Sequence, residues 1–364
     1  MRPIGILYEH PEWFKLLFAE LERRGLPFEP LYVNEHTFDP AAREVPYSLV
    51  VNRVSPSSYL RGHAPSILYA RQVLAYLRDL GTPVVNGYDA FTLETSKALQ
   101  LLLFERLGLP YPRARVVNHP SQLERAAEGL QFPVIVKPNV GGSGALMQRF
   151  DHPAELRAAV AQGGLDFGID HTALVQEYLA PQDGGIVRVE VLNGEYLYAI
   201  KIFASGEGFN LCPADICQVD PAVPNAVPVQ LAPVGVAVAG QLAGQASGAT
   251  AVAAGEACDY GAGAVATATA VAAPPEPKKA MRIEPYEPPR EIVADAIRLV
   301  KAGGLDVGGV EYLVAARDGR PYFYDLNALS NFVTDAPQLL GFDPTARFVD
   351  YLEQRAGVRR PLAV

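Results

Sequence analysis

Strand-like and helix-like segments alternate along the first part of the chain. Pro3–Tyr8, Tyr47–Val54 and Thr82–Asn86 are short apolar runs typical of buried strands, and Glu12–Arg24 and Ser66–Leu80 have the apolar spacing of helices. Because parallel strands need a crossover connection, this alternation favours a doubly wound parallel sheet. We therefore predict an α/β domain at residues 1–91.

The alternation continues with a predicted helix at Thr92–Leu107 and then gives way to two hairpins. Asn193-Gly194 separates VRVEVL from EYLYAIKIF, and Asp318-Gly319 lies at the tip of the second hairpin. Both dipeptides adopt positive φ angles readily, as tight turns require. The fold class expected from these patterns is α/β, with α+β character in the second half.

Residues 221–280 differ from the rest of the chain in composition. Alanine, glycine, valine and proline dominate this segment, and Tyr260 is its one aromatic residue. Small side chains bury too little area to offset the entropy cost of ordering, so we expect a flexible insertion. An alanine-rich helix is the alternative.

Charge and cysteine content restrict the functional class. The formal net charge of the 364-residue chain is −9, which argues against a nucleic-acid partner. No apolar run approaches the roughly 18–20 residues that cross a bilayer, and no secretory signal is visible, so we expect no membrane association. Three cysteines are too few for a disulfide framework, and we expect a cytoplasmic location.

The segment Phe132–Met147 (FPVIVKPNVGGSGALM) joins a strand to a glycine-rich loop. Lys137 ends the apolar run, and four residues later Gly141-Gly142-Ser143-Gly144 begins. Glycines let backbone amides approach a polyphosphate, and the lysine would add positive charge beside it. The alternative is a glycine-rich turn beside an exposed lysine.

A second chemical cluster lies on the C-terminal hairpin. Glu311 and Asp325 lie on its two strands, and Asn327 follows Asp325 at i+2, where both side chains share one face. Two carboxylates and an amide oxygen are hard ligands that suit Mg²⁺. A solvated strand face is the alternative, which the apolar context YFYDLNAL disfavours.

The order of these motifs resembles that of the ATP-grasp ligases, from about Asn86 to Phe348. The matching elements are Lys97 before LGLPYP, the PVIVKP strand with its glycine-rich loop, the QEYL segment, Arg188 at the head of a hairpin, and the acidic pair followed by x-Asn. Glutathione synthetase and the ribosomal-protein glutamate ligases are the nearest subgroup. The resemblance implies two α+β subdomains that clasp a nucleotide, at residues 92–180 and 181–355, with the insertion at about 221–280 in the second.

The resemblance also implies a role for each matching residue, with ATP and one or two Mg²⁺ ions, or alternatively Mn²⁺, as cofactors. The lysines would hold phosphates, the glycine-rich loop would cover the γ-phosphate, the QEYL segment would bind adenine, and Asp183 would bind ribose. The nucleotide-binding candidates are Lys97, Lys137, Gly142, Ser143, Gly144, Gln176, Glu177, Tyr178, Leu179 and Asp183. The metal-ligand candidates are Glu311, Asp325 and Asn327, and the catalytic candidate is Arg188, which would stabilise an acyl phosphate.

The activity implied is an ATP-dependent carboxylate–amine ligase that acts on small-molecule or peptide substrates through an acyl phosphate. Phosphotransfer or ligation to a non-amine nucleophile is one alternative, and a nucleotide-binding regulatory protein without turnover is another. The sequence departs from the family at Asp325-Leu326-Asn327, where relatives have Glu-x-Asn, and at the following Ala328–Asn331 turn, where relatives bind the acceptor. The identity of the substrates and homo-oligomer formation are left open.

Several isolated polar residues have two interpretations. Arg53 ends a predicted strand, where it would bind a substrate carboxylate or form a surface ion pair. Lys201 is interpreted as an exposed strand lysine rather than as a residue of the cleft. His10, His36 and His63 show no partner in the sequence.

A shared metal site requires Glu311 and Asp325 to lie on one face of the hairpin. Opposed residues of an antiparallel pair share a face, so a three-residue loop with Gly319 at positive φ would place Glu311 opposite Asp325. A two-residue Asp318-Gly319 turn would instead oppose Glu311 to Leu326. We therefore expect the three-residue register, or a compensating β-bulge.

Overall fold

The structure is a computed structural model that describes residues 2–142, 144–203 and 282–357. The predicted insertion at 221–280, Ser143 of the glycine-rich loop and the three cysteines lie outside these residues. Within the described ranges, no helix is long and apolar enough to cross a membrane.

The N-terminal sheet has four parallel strands in the order β2-β1-β3-β4. Helix α2 covers one face, and α1 together with the distant α9 covers the other, so both faces are buried, as a parallel sheet requires. Strand β2 was not predicted. The elements are β1 (Ile4–Tyr8), α1 (Lys15–Arg23), β2 (Phe28–Tyr32), β3 (Leu49–Arg53), α2 (Ala64–Asp79), β4 (Val84–Val85) and α9 (Pro344–Arg355).

The central sheet has four antiparallel strands in the order β5-β8-β6-β7. Helices α5 and α6 pack on one face through a cluster that includes Val134, Val136 and Val175. The alternate residues Ile135, Lys137 and Gln176 therefore project from the other face. The elements are β5 (Ala114–Val117), α5 (Leu123–Ala127), β6 (Val134–Pro138), β7 (Gln148–Phe150), α6 (Pro153–Gln162) and β8 (Ala173–Glu177).

The third sheet has five antiparallel strands in the order β11-β10-β9-β12-β13. The valines of β9 face a core formed with α7, whereas Arg188 and Glu190 alternate with them and face the opposite side. The elements are β9 (Gly185–Leu192), β10 (Glu195–Phe203), β11 (Arg282–Pro285), α7 (Arg290–Ala302), β12 (Val307–Val314), β13 (Pro321–Asn327) and α8 (Ala336–Leu340). The predicted fold class, a parallel N-terminal sheet followed by two α+β units, is confirmed.

The helix predicted at Thr92–Leu107 is two helices, and the prediction of one continuous helix is wrong. Helix α3 (Tyr88–Glu94) ends before Thr95, and α4 (Lys97–Arg106) begins after Ser96, whose hydroxyl accepts a hydrogen bond from the Leu99 amide at 3.3 Å. A serine cap satisfies a free amide at a helix N-terminus, which compensates for the break. Lys97 is therefore the first residue of a helix rather than an internal one.

The C-terminal hairpin has the expected register, and a β-bulge rather than a three-residue loop produces it. Gly319 has φ of +68°, but the loop spans four residues, because Ala315 donates its amide to the Arg320 carbonyl at 2.9 Å. The expected three-residue loop is therefore wrong. A bulge at Tyr324 then shifts the register by one residue and places Glu311 opposite Asp325.

Asn86 links the N-terminal sheet to the third sheet. Its buried amide group donates to the carbonyls of Val307 and Ala328 at 2.7 and 2.6 Å and accepts from the amides of Asp306 and Val307 at 2.8 and 3.2 Å. All the hydrogen-bonding capacity of the side chain is used, so the residue fixes the strand ends on both sides.

We expect Asn86→Ala to lower the free energy of unfolding by about 3 kcal/mol, because it leaves four buried backbone groups without a partner. Urea unfolding followed by circular dichroism measures the change. Asn118→Ala is the control, since its side chain bonds only to exposed Gln122, and it should cost less than about 0.5 kcal/mol. Equal effects of the two substitutions would contradict this role for Asn86.

Candidate active site

A lysine–carboxylate pair joins the first turn of α4 to the edge of the third sheet. The Lys97 ammonium donates to Asp325 Oδ1 at 2.6 Å, and both side chains are largely buried. Ser96 and Asn139 position this turn: the Asn139 carbonyl accepts from the Lys97 amide at 3.2 Å, and its Oδ1 accepts from the Ala98 amide at 2.9 Å. The two segments predicted to contact phosphate are therefore held together at their backbones.

The three metal-ligand candidates lie on one face of the hairpin. Glu311 is opposite Asp325, and Asn327 follows on the same face, with its amide nitrogen 3.3 Å from Glu311 Oε1. A cation between the two carboxylates would require the Asn327 amide to turn and present Oδ1. The bulge at Tyr324 produces this common face.

Arg188 lies beside these carboxylates on the neighbouring strand. Its Nη1 donates to Glu311 Oε1 at 3.2 Å and its Nε donates to Glu190 Oε1 at 2.6 Å. Gly309 makes room for the guanidinium, since a Cβ at that position would lie 2.6 Å from Nε and Nη2. The lack of a side chain at Gly309 thus sets where the arginine charge can lie.

Lys137 extends from β6 toward the same charges and is only 4% exposed. Burial, reinforced by repulsion from Lys97, lowers its pKa to about 7, although Asp325 and Glu311 act in the opposite direction. Beyond it, Gly141 and Gly142 pass close to the N-terminal domain, where a Cβ would meet the Tyr59 hydroxyl at 3.2 Å and Ser57 Cβ at 3.4 Å. Gly144 continues the loop at φ of +67°.

The two carboxylates respond differently to burial. Burial and the nearby Asp325 charge raise the pKa of Glu311 against the effect of Arg188. Burial also tends to raise the pKa of Asp325. The positive charges of Lys97 and Lys137 outweigh this effect and hold the pKa of Asp325 below its ordinary value. The repulsion between the two acids is therefore balanced by Lys97 and Lys137 at Asp325 and by Arg188 at Glu311.

These donors fit a divalent cation that is also bound by a nucleotide. Among the described residues, no group of three or more histidine, cysteine or acidic side chains could hold a metal ion, and the candidate ligands on this hairpin are two carboxylates and an amide. Mg²⁺ commonly takes one or two carboxylates and completes its shell with phosphate oxygens and water. Such an ion would neutralise the negative charge of the neighbouring Glu311 and Asp325 carboxylates.

The QEYL segment forms the end of β8 and the link that follows it. The amides of Glu177 and Tyr178 are already bonded to the carbonyls of Arg113 and Pro133, each at 2.9 Å. The Glu177 carboxylate accepts from Arg317 at 2.9 Å and from the Gln131 amide at 3.0 Å. These two amides are thus committed to the fold, whereas Gln176 Oε1 is buried without a partner in the described chain.

Asp183 is not brought together with the metal-ligand candidates. It pairs with Lys201, which lies opposite Val187 on β9. Val187 and Tyr312 belong to the face opposite to that of Arg188 and Glu311. The Lys201 side chain is 17% exposed and lies 5.1 Å from the Tyr286 ring centroid, so its interpretation as an exposed strand lysine is wrong.

Several buried polar residues that support the site were missed in the sequence. Gln100 bonds to both the amide and the carbonyl of Leu326, between the two metal-ligand candidates of β13. Glu94 accepts from the Ala328 amide, and burial raises its pKa to about 7. The alternation of Arg188 and Glu190 along one strand could have indicated Glu190, but nothing in the sequence distinguishes Gln100 or Glu94 from surface residues.

Two N-terminal predictions also change. His63 is not isolated, because its Nδ1 lies 2.6 Å from Glu9, a buried carboxylate that also binds Arg61. Arg53 does not form a surface ion pair, since it is 5% exposed and donates to the carbonyl of Ser330 at 2.5 Å. Arg53 is the last residue of β3, and Arg61 lies in the segment that connects β3 to α2.

Comparison with known proteins agrees with the geometry. Residues 93–210 match the RimK-like ATP-grasp domain family. A D-alanine–D-alanine ligase of Geobacter sulfurreducens is 26% identical over 154 residues, which are 39% of this chain and 47% of that ligase. The match therefore spans about half the length of the curated relative.

Solved structures with the same fold cover almost the whole chain. The ATP-grasp ligase PsnB, solved with a minimal precursor, has a TM-score of 0.59 at 17% identity and covers 98% of this chain and 100% of its own. The D-cycloserine synthetase DcsG has a TM-score of 0.58 at 16% identity, with 97% and 99% covered. A D-alanine–D-alanine ligase of Bacillus anthracis has a TM-score of 0.58 at 14% identity, with 98% and 97% covered.

The family match and the structural likeness agree with each other: residues 93–210 are similar to the RimK-like ATP-grasp domain, and the described part of the chain has the fold of the solved ATP-grasp ligases.

Proposed function

We propose that the protein is an ATP-dependent ligase that joins a carboxylate to an amine through an acyl phosphate. The observation that carries the proposal is the convergence of three cations and two carboxylates, which are buried or largely buried, between the central and third sheets. Lys97 pairs with Asp325, Arg188 pairs with Glu311, and Lys137 is electrostatically coupled to both carboxylates. Binding alone has little need for such a costly arrangement of buried charge.

The lysines are the residues proposed to hold the nucleotide phosphates. Lys97 neutralises Asp325 in the structure, and it is free to turn to a phosphate oxygen once another cation takes over that carboxylate. Lys137 has a pKa lowered to about 7 by burial, and an adjacent phosphate would favour its charged form. Gly142, Ser143 and Gly144 are proposed to cover the γ-phosphate, Gln176–Leu179 to bind adenine, and Asp183 to bind ribose.

The proposed reaction has two steps that balance. A substrate carboxylate oxygen attacks the γ-phosphorus of ATP, the bond to the β-γ bridging oxygen breaks, and ADP leaves. The amine nitrogen then attacks the acyl carbon, the bond to the phosphate oxygen breaks, and inorganic phosphate leaves while the nitrogen loses a proton. Positioning and charge neutralisation provide most of the rate in phosphoryl transfer.

Arg188 is the residue proposed to stabilise the acyl group. Its guanidinium is buried between Glu190 and Glu311, so its charge acts with little screening by water. Fixed donors that face a developing oxyanion need no reorganisation during the reaction. Glu311, Asp325 and Asn327 are the proposed ligands of Mg²⁺, which when bound would neutralise the phosphate charge.

The substrates are proposed to be small molecules or a peptide, and the cytoplasm is the proposed setting. PsnB was solved with a precursor peptide, whereas DcsG and the D-alanine–D-alanine ligases are named for small molecules. These neighbours therefore support both substrate classes.

The proposal is tested by ADP release with Mg²⁺ and a panel of carboxylic acids and amines, with and without hydroxylamine. We expect ADP formation that depends on a carboxylate, and a hydroxamate when hydroxylamine intercepts the acyl phosphate. A phosphorylated product without phosphate release would indicate phosphotransfer instead. ATP binding without turnover under every condition would contradict the proposed ligase.

We expect Lys137→Met to reduce ADP release at least about 100-fold, because the charge beside the phosphates is lost. The free energy of unfolding should not fall by more than about 1 kcal/mol, since Lys137 is a buried cation and its removal relieves a desolvation cost. Lys15→Met, at a 67% exposed helix lysine, is the control and should leave both values unchanged. A folded Lys137→Met protein with ordinary turnover would disprove the assignment.

We expect Gly309→Ala to slow turnover about 100-fold with little change in the KM for ATP, because the added Cβ displaces the Arg188 guanidinium. The control is Gly87→Ala, where a Cβ would meet Val84 at an ordinary 3.5 Å. Steady-state ADP release at saturating ATP measures both variants. Unchanged turnover in Gly309→Ala would show that the position of Arg188 is not important for the reaction.

A further inference from the structure

The four-residue loop of the C-terminal hairpin presents an arginine to the QEYL segment. Arg317 Nη1 donates to Glu177 Oε2 at 2.9 Å and to Gln131 Oε1 at 3.2 Å. The guanidinium carbon also lies 5.3 Å from the centroid of the Tyr322 ring. Because Glu177 is the last residue of β8, this ion pair joins the central sheet to the hairpin that carries the metal-ligand candidates.

The carboxylate of this pair is buried more deeply than the arginine. The Glu177 side chain is 2% exposed, whereas that of Arg317 is 32% exposed. Arg113 is the other arginine at this carboxylate, but it lies farther away, at 3.6 Å from Oε1, and donates to the Gly129 carbonyl at 2.9 Å. A buried carboxylate is costly when a cationic partner is removed. The position of Glu177 therefore depends mainly on Arg317.

Backbone contacts hold the residues after QEYL to the same loop. The Ala316 amide donates to the Ala180 carbonyl at 2.9 Å, and Pro181 forms an antiparallel bridge with Ala315. The chain that leaves β8 therefore runs antiparallel to the residues that follow β12. Arg317 is the next residue of the loop, and it extends this contact from the backbone to a buried side chain.

Apolar side chains from the two segments pack in one cluster. Leu179, the last residue of QEYL, lies in this cluster with Ile186 of β9, Leu313 of β12 and Tyr322 of β13. At the other end of QEYL, the side-chain oxygen of Gln176 is buried and has no partner among the described residues. The hairpin and its loop thus fix where the segment proposed to bind adenine can lie.

We propose that Arg317 is a positioning residue for the nucleotide base, because it holds Glu177, and with it the QEYL segment, in the position from which the segment binds adenine. In the described part of the chain, the partners of Arg317 do not include the lysines proposed to bind phosphate. Its effect on the base is therefore separable from the binding of the phosphates. This inference rests on the proposed function, since it concerns the nucleotide of that reaction.

The first experiment separates the binding of the base from the binding of the phosphates. Isothermal titration calorimetry of the full chain with Mg²⁺ measures the Kd for ADP and for inorganic tripolyphosphate, which has phosphates but no base. We expect Arg317→Met to weaken ADP binding at least about 10-fold and to change the Kd for tripolyphosphate by less than about 2-fold, because only the base depends on the position of the QEYL segment.

Further variants test whether the effect acts through Glu177. Arg317→Lys keeps the charge but lacks the planar guanidinium, so it should recover part of the affinity for ADP. Arg317→Met combined with Glu177→Gln should weaken ADP binding by less than the product of their separate effects, because both remove the same contact. Arg24→Met is the control: it removes a buried arginine that pairs with Glu20 and Asp350, and it should keep the wild-type Kd for ADP.

The second experiment measures ADP release at varied ATP. We expect Arg317→Met to raise the KM for ATP about 10-fold and to keep kcat within about 2-fold of the wild type, since the groups proposed to act on the phosphates are unchanged. A substitution that only destabilised the fold would lower the amount of active protein, and thus kcat, without raising KM. Glu177→Gln provides the same comparison if Arg317→Met does not fold.

The outcomes separate this inference from the proposed function. If the wild type does not bind ADP, the proposed nucleotide site and this inference both fail. If the wild type binds ADP and releases it from ATP, but Arg317→Met binds ADP equally well, the ligase stands and the inference is overturned. Equal weakening of ADP and tripolyphosphate binding would also overturn it, because Arg317 would then support the whole site rather than the position of the segment that binds the base.

Discussion

The structure depends on one constraint: two carboxylates lie close together in a largely buried site. Glu311 and Asp325 lie opposite each other on neighbouring strands, and neither would remain ionised there alone. Lys97 and Arg188 supply the balancing charge from two different parts of the chain. The site therefore exists only when α4 and the third sheet are packed together, which makes its chemistry a property of the assembled fold.

Three backbone features hold these charges in place. The break between α3 and α4 puts Lys97 at a helix N-terminus, where Asn139 binds the first amides. The bulge at Tyr324 turns Asp325 and Glu311 to one face. Gly309 leaves room for Arg188. The helix break and the bulge interrupt regular secondary structure, and Gly309 leaves a strand position without a side chain. In each case a hydrogen bond or an ion pair forms that a regular helix or strand would not make.

The N-terminal sheet contributes more to the site than a scaffold would. Asn86 ties it to the ends of β12 and β13, Ser57 and Tyr59 lie against the glycine-rich loop, and Arg53 reaches the turn after the metal-ligand candidates. The residues proposed to bind phosphate and metal are therefore held in part by contacts from the N-terminal part of the chain.

The sequence by itself determined the fold class, the two hairpins and the phosphate and metal-ligand candidates, because hydrophobic period, Asn-Gly and Asp-Gly turns and the order of short motifs are local signals. The break before Lys97, the strand β2, the four-residue loop of the hairpin and the partners of Arg53 and Glu190 were decided only by the tertiary structure. A cap, a bulge or a buried ion pair depends on atoms supplied from distant parts of the chain. The sequence alone does not indicate that Arg53 and Ser330 lie close together, because their contact forms only when the N-terminal sheet and the third sheet pack.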